Sequence, residues 1–447
     1  MYDELEFNHC SHSKDPIIGC ALEGVANVIA GIKDVSIIIH SPQGCASTVA
    51  TAFDKHEIDF TRRKVGCTRL FETDIIMGAS EKLAGMIREA DRTFNSKVMF
   101  IVGTCSADII GEDIDGLCRE MQPEIKARLI PVMAGGFRGD SFAGIDMGLE
   151  ALLPLIPKQE IKLINKVNLI LPQSNLNPTW QADLLWVKEV LREMGVDVLS
   201  VLPHNMAMEE LEEAGLASAN ILLSHDAGYK FVRKLEERHQ IPFILGDIPL
   251  PIGLSNTARW LRAAGRYFGA EEKAEEIITR GEKLVVETLR KRALMIIPRY
   301  RNCRVALSAD ATLGVGMVRM LFEELEMIPE MVLLHSGTQE ARELLANELN
   351  ELGLATRVAF SVDGYQVKQA ITEAKTDVVI GSAWEKYMAE EAGIKTSFDL
   401  LSPTNRDVYL DRAYFGYEGM LNMLEVFGND WERSYRSKEI NWEQFAG

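Results

Sequence analysis

The sequence predicts an α/β protein of three Rossmann-like domains, each a parallel four-stranded sheet flanked by helices. Three observations predict it. At 447 residues the chain exceeds what one hydrophobic core usually serves, so two or three domains are expected. About eleven short β-rich runs, apolar on both faces, fall into three groups. Most are followed by amphipathic helical stretches such as QADLLWVKEVLREMG and TQEARELLANELNELG, as parallel strands joined by crossovers require.

The first third supplies VSIIIH (35–40), VMFIVG (98–103) and RLIPVM (128–133) as strands. The middle supplies VNLIL (167–171), VDVLSVL (196–202), NILLS (220–224) and PFILG (242–246). The last third supplies RVALSA (304–309), MVLLHS (331–336), TRVAF (356–360) and DVVIGS (377–382). LLPLIPKQEIKLIN (152–165), with two prolines and a basic patch, reads as the first linker, and AEEKAEEIITRGEKLVVETLRKRALMII (270–297) as a helix bridging the second and third units. The expected division is 1–158 for an N-terminal α/β domain, 159–290 for a middle domain and 291–447 for a C-terminal one.

Composition excludes several classes. A net charge of −18 argues against nucleic-acid binding, which needs clustered Lys and Arg. No stretch reaches the roughly 18 unbroken apolar residues of a membrane span. The acidic start MYDELEFNHC lacks the apolar region of a secretory signal, so the cytoplasm is the expected location. No G-x-x-x-x-G-K-[ST] stretch occurs, and SADATLGVGM (308–317) lacks G-x-G-x-x-G spacing, so neither a phosphate-binding loop nor a dinucleotide fingerprint is read here.

The cysteines carry the functional signal. Six of the seven, Cys10, Cys20, Cys45, Cys67, Cys105 and Cys118, lie in the first 118 residues; Cys303 stands alone. An odd count in such a chain argues against a disulfide framework. Cys20 (PIIGCALEG), Cys45 (HSPQGCAST) and Cys105 (VGTCSAD) each follow a glycine by one or two residues, and two of them follow an apolar strand closely. A thiol at a strand-to-helix turn feels the helix N-terminus, which favours the thiolate that binds iron. The spacings match no zinc finger and there is no C-x-x-C. Three thiolates at the tips of one sheet suit an iron–sulfur cluster whose remaining ligands come from a second subunit; buried structural cysteines are the rival reading. His9, Cys10 and His12 crowd four residues but, as neighbours in an extended tail, rarely converge on one ion. Cys118 and Cys303 are expected to be packing residues; Cys67 (KVGCTRLF) lies between the cluster-bearing segments, where core packing is expected and a supporting place beside the cluster is the alternative.

The stretches CALEGVANVIAGIKDVSIIIHSPQGCAS, TRLFETDIIMGASEKL, GTCSADIIGEDIDGLC and GGFRG, followed by PFILGDIPLPIGLSNTARWL and DRAYFGYEGMLNMLE, resemble the nitrogenase component 1 family in order and spacing over nearly the whole chain. The resemblance implies that Cys20, Cys45 and Cys105 bind metal as this chain's half of an interfacial cluster, the 8Fe-7S P-cluster type of nitrogenases or a smaller 4Fe-4S cluster. It implies an α2β2 heterotetramer with an α-type catalytic subunit, fed by an ATP-dependent iron-protein reductase. Catalytic α subunits hold their active-site cofactor with a cysteine in the second domain and a histidine in the third. Here SANILLSHDAGYKFVRKL has no cysteine, His225 lies on a different pattern, and LLSPTNRDVYLDRAYFGYEG has no histidine. The chain is therefore expected to be a β-like relay subunit with no catalytic residue of its own. Where molybdenum nitrogenase β subunits place a serine near the cluster, this chain has Gly136. Methylthio-alkane reductase, cleaving carbon–sulfur bonds, is the leading expectation among nitrogenase-like reductases. An iron-only or vanadium nitrogenase β subunit, a cofactor-maturation scaffold and a homodimeric tetrapyrrole reductase stay open. A periplasmic-binding-protein-like module is disfavoured by the grouped cysteines and the start of the sequence.

Overall fold

The computed structural model describes residues 2–5, 7, 18–55, 63–174, 176–292 and 299–439. Three parallel sheets, with helices packed against them, organise the chain. The first has the order β3–β2–β4–β5, built from β2 (Val35–His40), β3 (Lys64–Cys67), β4 (Val98–Gly103) and β5 (Arg128–Met133). The second, β7–β6–β8–β9, uses β6 (Leu163–Ile170), β7 (Asp197–Leu202), β8 (Ala217–Leu222) and β9 (Phe243–Ile244). The third, β1–β12–β11–β10–β13–β14, uses β1 (Asp3–Glu4), β10 (Arg304–Ala309), β11 (Ile328–Leu334), β12 (Arg357–Phe360), β13 (Val378–Gly381) and β14 (Thr396–Asp399).

Every expected strand is present, and Val35–His40, Val98–Gly103, Arg128–Met133 and Arg304–Ala309 fall at the expected limits. Two details differ. The third sheet has six strands rather than four, and three strands went unforeseen: β1, β3 and β14. All three lie at sheet edges. Edge strands are short and open on one side, so their residues (DE, KVGC, TSFD) need not be apolar on both faces and carry no buried-strand signature. The expected first linker also ends early, since β6 begins at Leu163. The bridging helix runs Glu271–Arg290, and 293–298 lie outside the described residues.

Two hydrophobic cores join the three units. One packs Val25, Ile29, Ile37, Phe100 and Val132 of the first unit against Ile170, Leu202, Tyr229 and Phe231 of the second. The other merges Leu169, Trp180, Ile221 and Trp260 with Leu307, Val332, Ile380, Phe398 and Phe427. Buried Asp183 adds a polar tie, its carboxylate accepting the N–H groups of Tyr414 at 2.6 Å and Phe415 at 2.7 Å and the Asn177 amide at 2.6 Å. Burial pushes its pKa up to about 7, with those donors opposing. From the sheet memberships we propose the three-part division at 158 and 290, with Asp3–Glu4 crossing to the third sheet.

One contact positions the N-terminal cysteine. Helix Ala21–Ala30 packs against helix Ser141–Leu152 through glycines. A Cβ on Gly24 would lie 1.9 Å from the Ser141 carbonyl oxygen, and one on Gly144 would lie 2.0 Å from that of Ala21. The backbones can approach this closely only because neither residue has a side chain. Replacing Gly144 by alanine must push the helices apart. The expected cost is about 1–3 kcal/mol, as for other overpacked sites, read as a lowered urea midpoint with an unchanged slope.

Candidate thiol centre at the first switch point

In the first sheet the chain runs from β2 outward to β3, then back across to β4 and β5, so the winding direction reverses between β2 and β4. Open parallel sheets bind ligands at the carboxyl ends of the strands flanking such a reversal. The two strands end level, His40 pairing with Gly103. Beyond β2, Ser41 and Pro42 lead into helix Gln43–Lys55, which carries Cys45 in its first turn. Beyond β4, Thr104 stands at the N-terminus of helix Cys105–Ile110 without capping it, and its hydroxyl donates to the His40 carbonyl at 3.1 Å. The structure therefore brings Cys45 and Cys105 to one reversal point.

Cys20 reaches the same place from outside the sheet. It is the extended residue ahead of helix Ala21–Ala30 and bridges Asp140 in antiparallel fashion, with the Ala21 N–H donating to the Gly139 carbonyl at 3.1 Å. The turn after β5 completes the cradle. The Gly136 N–H donates to Cys105 Sγ at 2.9 Å, and a Cβ on Gly136 would stand 3.4 Å from that sulfur and 3.5 Å from Cys20 Cβ. A serine there would project directly at both cysteines; glycine leaves that space open.

Burial raises the Cys45 thiol pKa, and the Cys105, Cys20 and Cys67 thiols add to the rise. Four thiols thus share one neighbourhood. All four are half-buried and free of disulfides. Among the described residues no three His, Cys, Asp or Glu side chains close to the spacing of a single metal ion. Asp108 pairs with Arg138 at 2.7 Å, and Asp113 caps helix Ile114–Met121 through the Gly116 N–H at 2.8 Å, so the acidic run is used locally.

The remaining cysteines divide. Cys118 is 3% exposed in the core behind the sheet, and burial pushes its thiol up to about 12. Cys303 precedes β10 in the third unit and donates to the Arg299 carbonyl at 3.1 Å. Both fit the packing role expected of them. Cys67 does not share it: the unforeseen strand β3 delivers its half-exposed sulfur to the thiol group's neighbourhood. The available signal was the Gly66-Cys67 dipeptide, which repeats Gly19-Cys20 and Gly44-Cys45. His9, Cys10 and His12 lie outside the described residues.

The carboxyl ends of strands in the second and third sheets face each other and are tied by side-chain hydrogen bonds. Asp226, after β8, accepts the Ala311 N–H at 2.7 Å and the hydroxyls of Thr312 and Ser336, which follow β10 and β11. Ser174, after β6, donates to Asp310 at 2.6 Å, and the Thr338 hydroxyl donates to the His225 carbonyl at 2.8 Å. His225 contacts the Tyr229 hydroxyl at 2.7 Å through Nδ1 and accepts the Leu250 N–H at 3.3 Å through Nε2; burial lowers its pKa to about 4, so the ring is neutral.

Around the first site large apolar side chains are exposed. Phe71, Ile76, Met77, Ile109 and Phe137 are 57–84% exposed, on or beside helices Glu72–Met77 and Cys105–Ile110 and the turn after β5. Such a concentration marks an interaction surface. Limited iodoacetamide treatment of the chain alone should modify Cys20, Cys67 and Cys105 well before Cys118, as read by peptide mass spectrometry, because reaction requires an accessible thiolate.

Known proteins share this fold and sequence pattern. The model of the nitrogenase component 1 type oxidoreductases matches residues 20–432. The chain is 26% identical to a nitrogenase molybdenum-iron protein alpha chain of Methanothermobacter thermautotrophicus over 432 residues, covering 91% of this chain and 86% of the relative. It is 26% identical to the iron-molybdenum cofactor biosynthesis protein NifE of Methanococcus maripaludis, covering 91% and 82%. It is 25% identical to a vanadium-iron protein beta chain of Trichormus variabilis, covering 84% of each. The solved structure of nitrogenase Cp1 at pH 6.5 superposes with a TM-score of 0.78 over 98% of this chain and 97% of that one, at 19% identity. The fold and the expected family agree with these likenesses, and the chain belongs to the nitrogenase component 1 type oxidoreductase family.

Proposed function

We propose that this chain is a β-like subunit of a nitrogenase-like reductase, in which Cys20, Cys45 and Cys105 hold half of an interfacial iron–sulfur relay. The observation that carries the reading is the pairing of three thiols at the first reversal point with an exposed apolar rim, while the facing crevices of the other sheets are closed on themselves. The residues fit such a group: the donors are soft thiols, a backbone N–H points at one sulfur, and Gly136 leaves room beside two of them. When bound, the cluster supplies one-electron transfer. The chain's own residues hold it, neutralise it by giving up thiol protons, and shield it beneath the rim when a partner docks.

In this reading an α-type subunit completes an α2β2 assembly and carries the cofactor on which substrate is reduced, and a separate ATP-dependent iron protein supplies electrons. Reductive carbon–sulfur cleavage of methylthio-alkanes is the proposed reaction, with a P-cluster type 8Fe-7S site preferred over 4Fe-4S. Two observations support placing chemistry in the partner. SANILLSHDAGYKF has no cysteine, and its Asp226 is taken up by the Ala311 N–H and the Ser336 hydroxyl; SPTNRDVYLDRAYFGYEG has no histidine. The resemblance to NifE favours a second reading, a scaffold on which a cofactor is matured; it predicts a loaded complex without substrate turnover.

Iron and sulfide quantitation with EPR on the complex, purified anoxically with its partner, tests the proposal. About eight irons for the interfacial site of each αβ pair favour the P-cluster type, and about four the tetrapyrrole-reductase alternative. Cys105→Ala should lose cluster iron and activity because a ligand is removed outright, whereas Cys303→Ala should leave both unchanged. Expressed without its partner under anoxic conditions, the chain should carry little iron. A fully metallated, active homodimer would overturn the β-like assignment.

A further inference from the structure

Cys67 is the half-exposed thiol of the first sheet that the relay leaves without a part. It closes β3, where it pairs with Ile39, one residue before the level at which His40 meets Gly103. Along the carboxyl edge of the sheet, the order β3, β2, β4, β5 therefore presents Cys67, then Cys45, then Cys105, then Gly136 beside Cys20. Each strand of this sheet delivers one element of the same site.

The Cys67 sulfur is also held in a particular way. The Arg69 N–H lies 3.4 Å from it, and the thiol reaches the Ser41 carbonyl oxygen at 3.5 Å. Arg69 has φ 54, a left-handed conformation that non-glycine residues seldom adopt and that concentrates at functional sites. A backbone N–H directed at sulfur is one of the levers by which a protein stabilises ligating thiolates, and Cys105 has its counterpart in the Gly136 N–H at 2.9 Å.

We infer that Cys67 is a fourth thiol ligand of the metal centre, so that this chain contributes four thiolates rather than three. The inference rests on the relay reading of Cys20, Cys45 and Cys105. Ligation replaces the S–H bond of Cys67 by an S–Fe bond and releases the proton to solvent, with no change in oxidation state. The rival role is a brace: through Ser41, Cys67 steadies the segment that leads to Cys45.

The test uses the anoxically purified complex carrying Cys67→Ala, Cys67→Ser or Cys105→Ala, with iron and sulfide content, Mössbauer and EPR spectra and thermal midpoint measured for each. Cys67→Ala is expected to lose iron and change the Mössbauer spectrum. Cys67→Ser, which keeps the size of the residue, is expected to change the spectrum with little change in thermal midpoint, because oxygen stands where sulfur bound. Wild-type iron content and spectra in both Cys67 variants, with iron lost in Cys105→Ala, would overturn the ligand assignment and leave the brace. Iron retained in Cys105→Ala would instead sink the relay reading itself.

Discussion

The structure depends on the level ending of β2 and β4. Parallel pairing sets His40 opposite Gly103, and adjacent strands stand about 4.8 Å apart. Two chain segments far apart in sequence therefore leave the sheet side by side, each turning into a helix that begins within a few residues. No side-chain contact needs to be invoked to bring Cys45 and Cys105 together. The glycine contact between helices Ala21–Ala30 and Ser141–Leu152 then fixes Cys20 over the same point, and the turn after β5 closes it with a backbone N–H.

The same topology makes equivalent crevices in the second and third sheets, and their different fate separates this first site from the rest of the molecule. There the carboxylates of Asp226 and Asp310 are buried. Burial raises both pKa values, and Asp226 raises that of Asp310 further, to about 7. Such groups are costly unless hydrogen-bonded. Asp226 meets that need with backbone and hydroxyl donors from the opposing unit, and Asp310 with Ser174 from the facing one. The polar groups that line a ligand crevice elsewhere are here spent on each other, which joins the middle and C-terminal units. At the first sheet a backbone N–H, that of Gly136, is directed at the Cys105 sulfur, and large apolar side chains stand exposed nearby.

Surface character follows the same division. The excess of acidic over basic residues is spread over the chain as a whole, yet Phe71, Ile76, Met77, Ile109 and Phe137 gather at the thiol site. Burying such a rim against another subunit would exclude water and oxidants from the sulfurs. Among the described residues no helix is long and apolar enough to cross a membrane.

Sequence by itself determined the α/β class and the buried strands, because strands covered on both faces must be apolar throughout, and it singled out Cys45 and Cys105 because Gly-Cys and Gly-Thr-Cys turns follow such strands at short range. It did not determine β1, β3 and β14, since an edge strand is recognised by its hydrogen-bonding neighbour and not by its own composition. Cys67 went with β3: its setting depends on pairing with Ile39, a contact between residues 28 apart in sequence, and in that four-residue run only the Gly66-Cys67 dipeptide hinted at it. The closure of the other two crevices was likewise decided only by tertiary structure. Asp226, Asp310 and Ser336 look like ordinary turn residues along the chain, and they become a lock because two sheets present their carboxyl ends to each other.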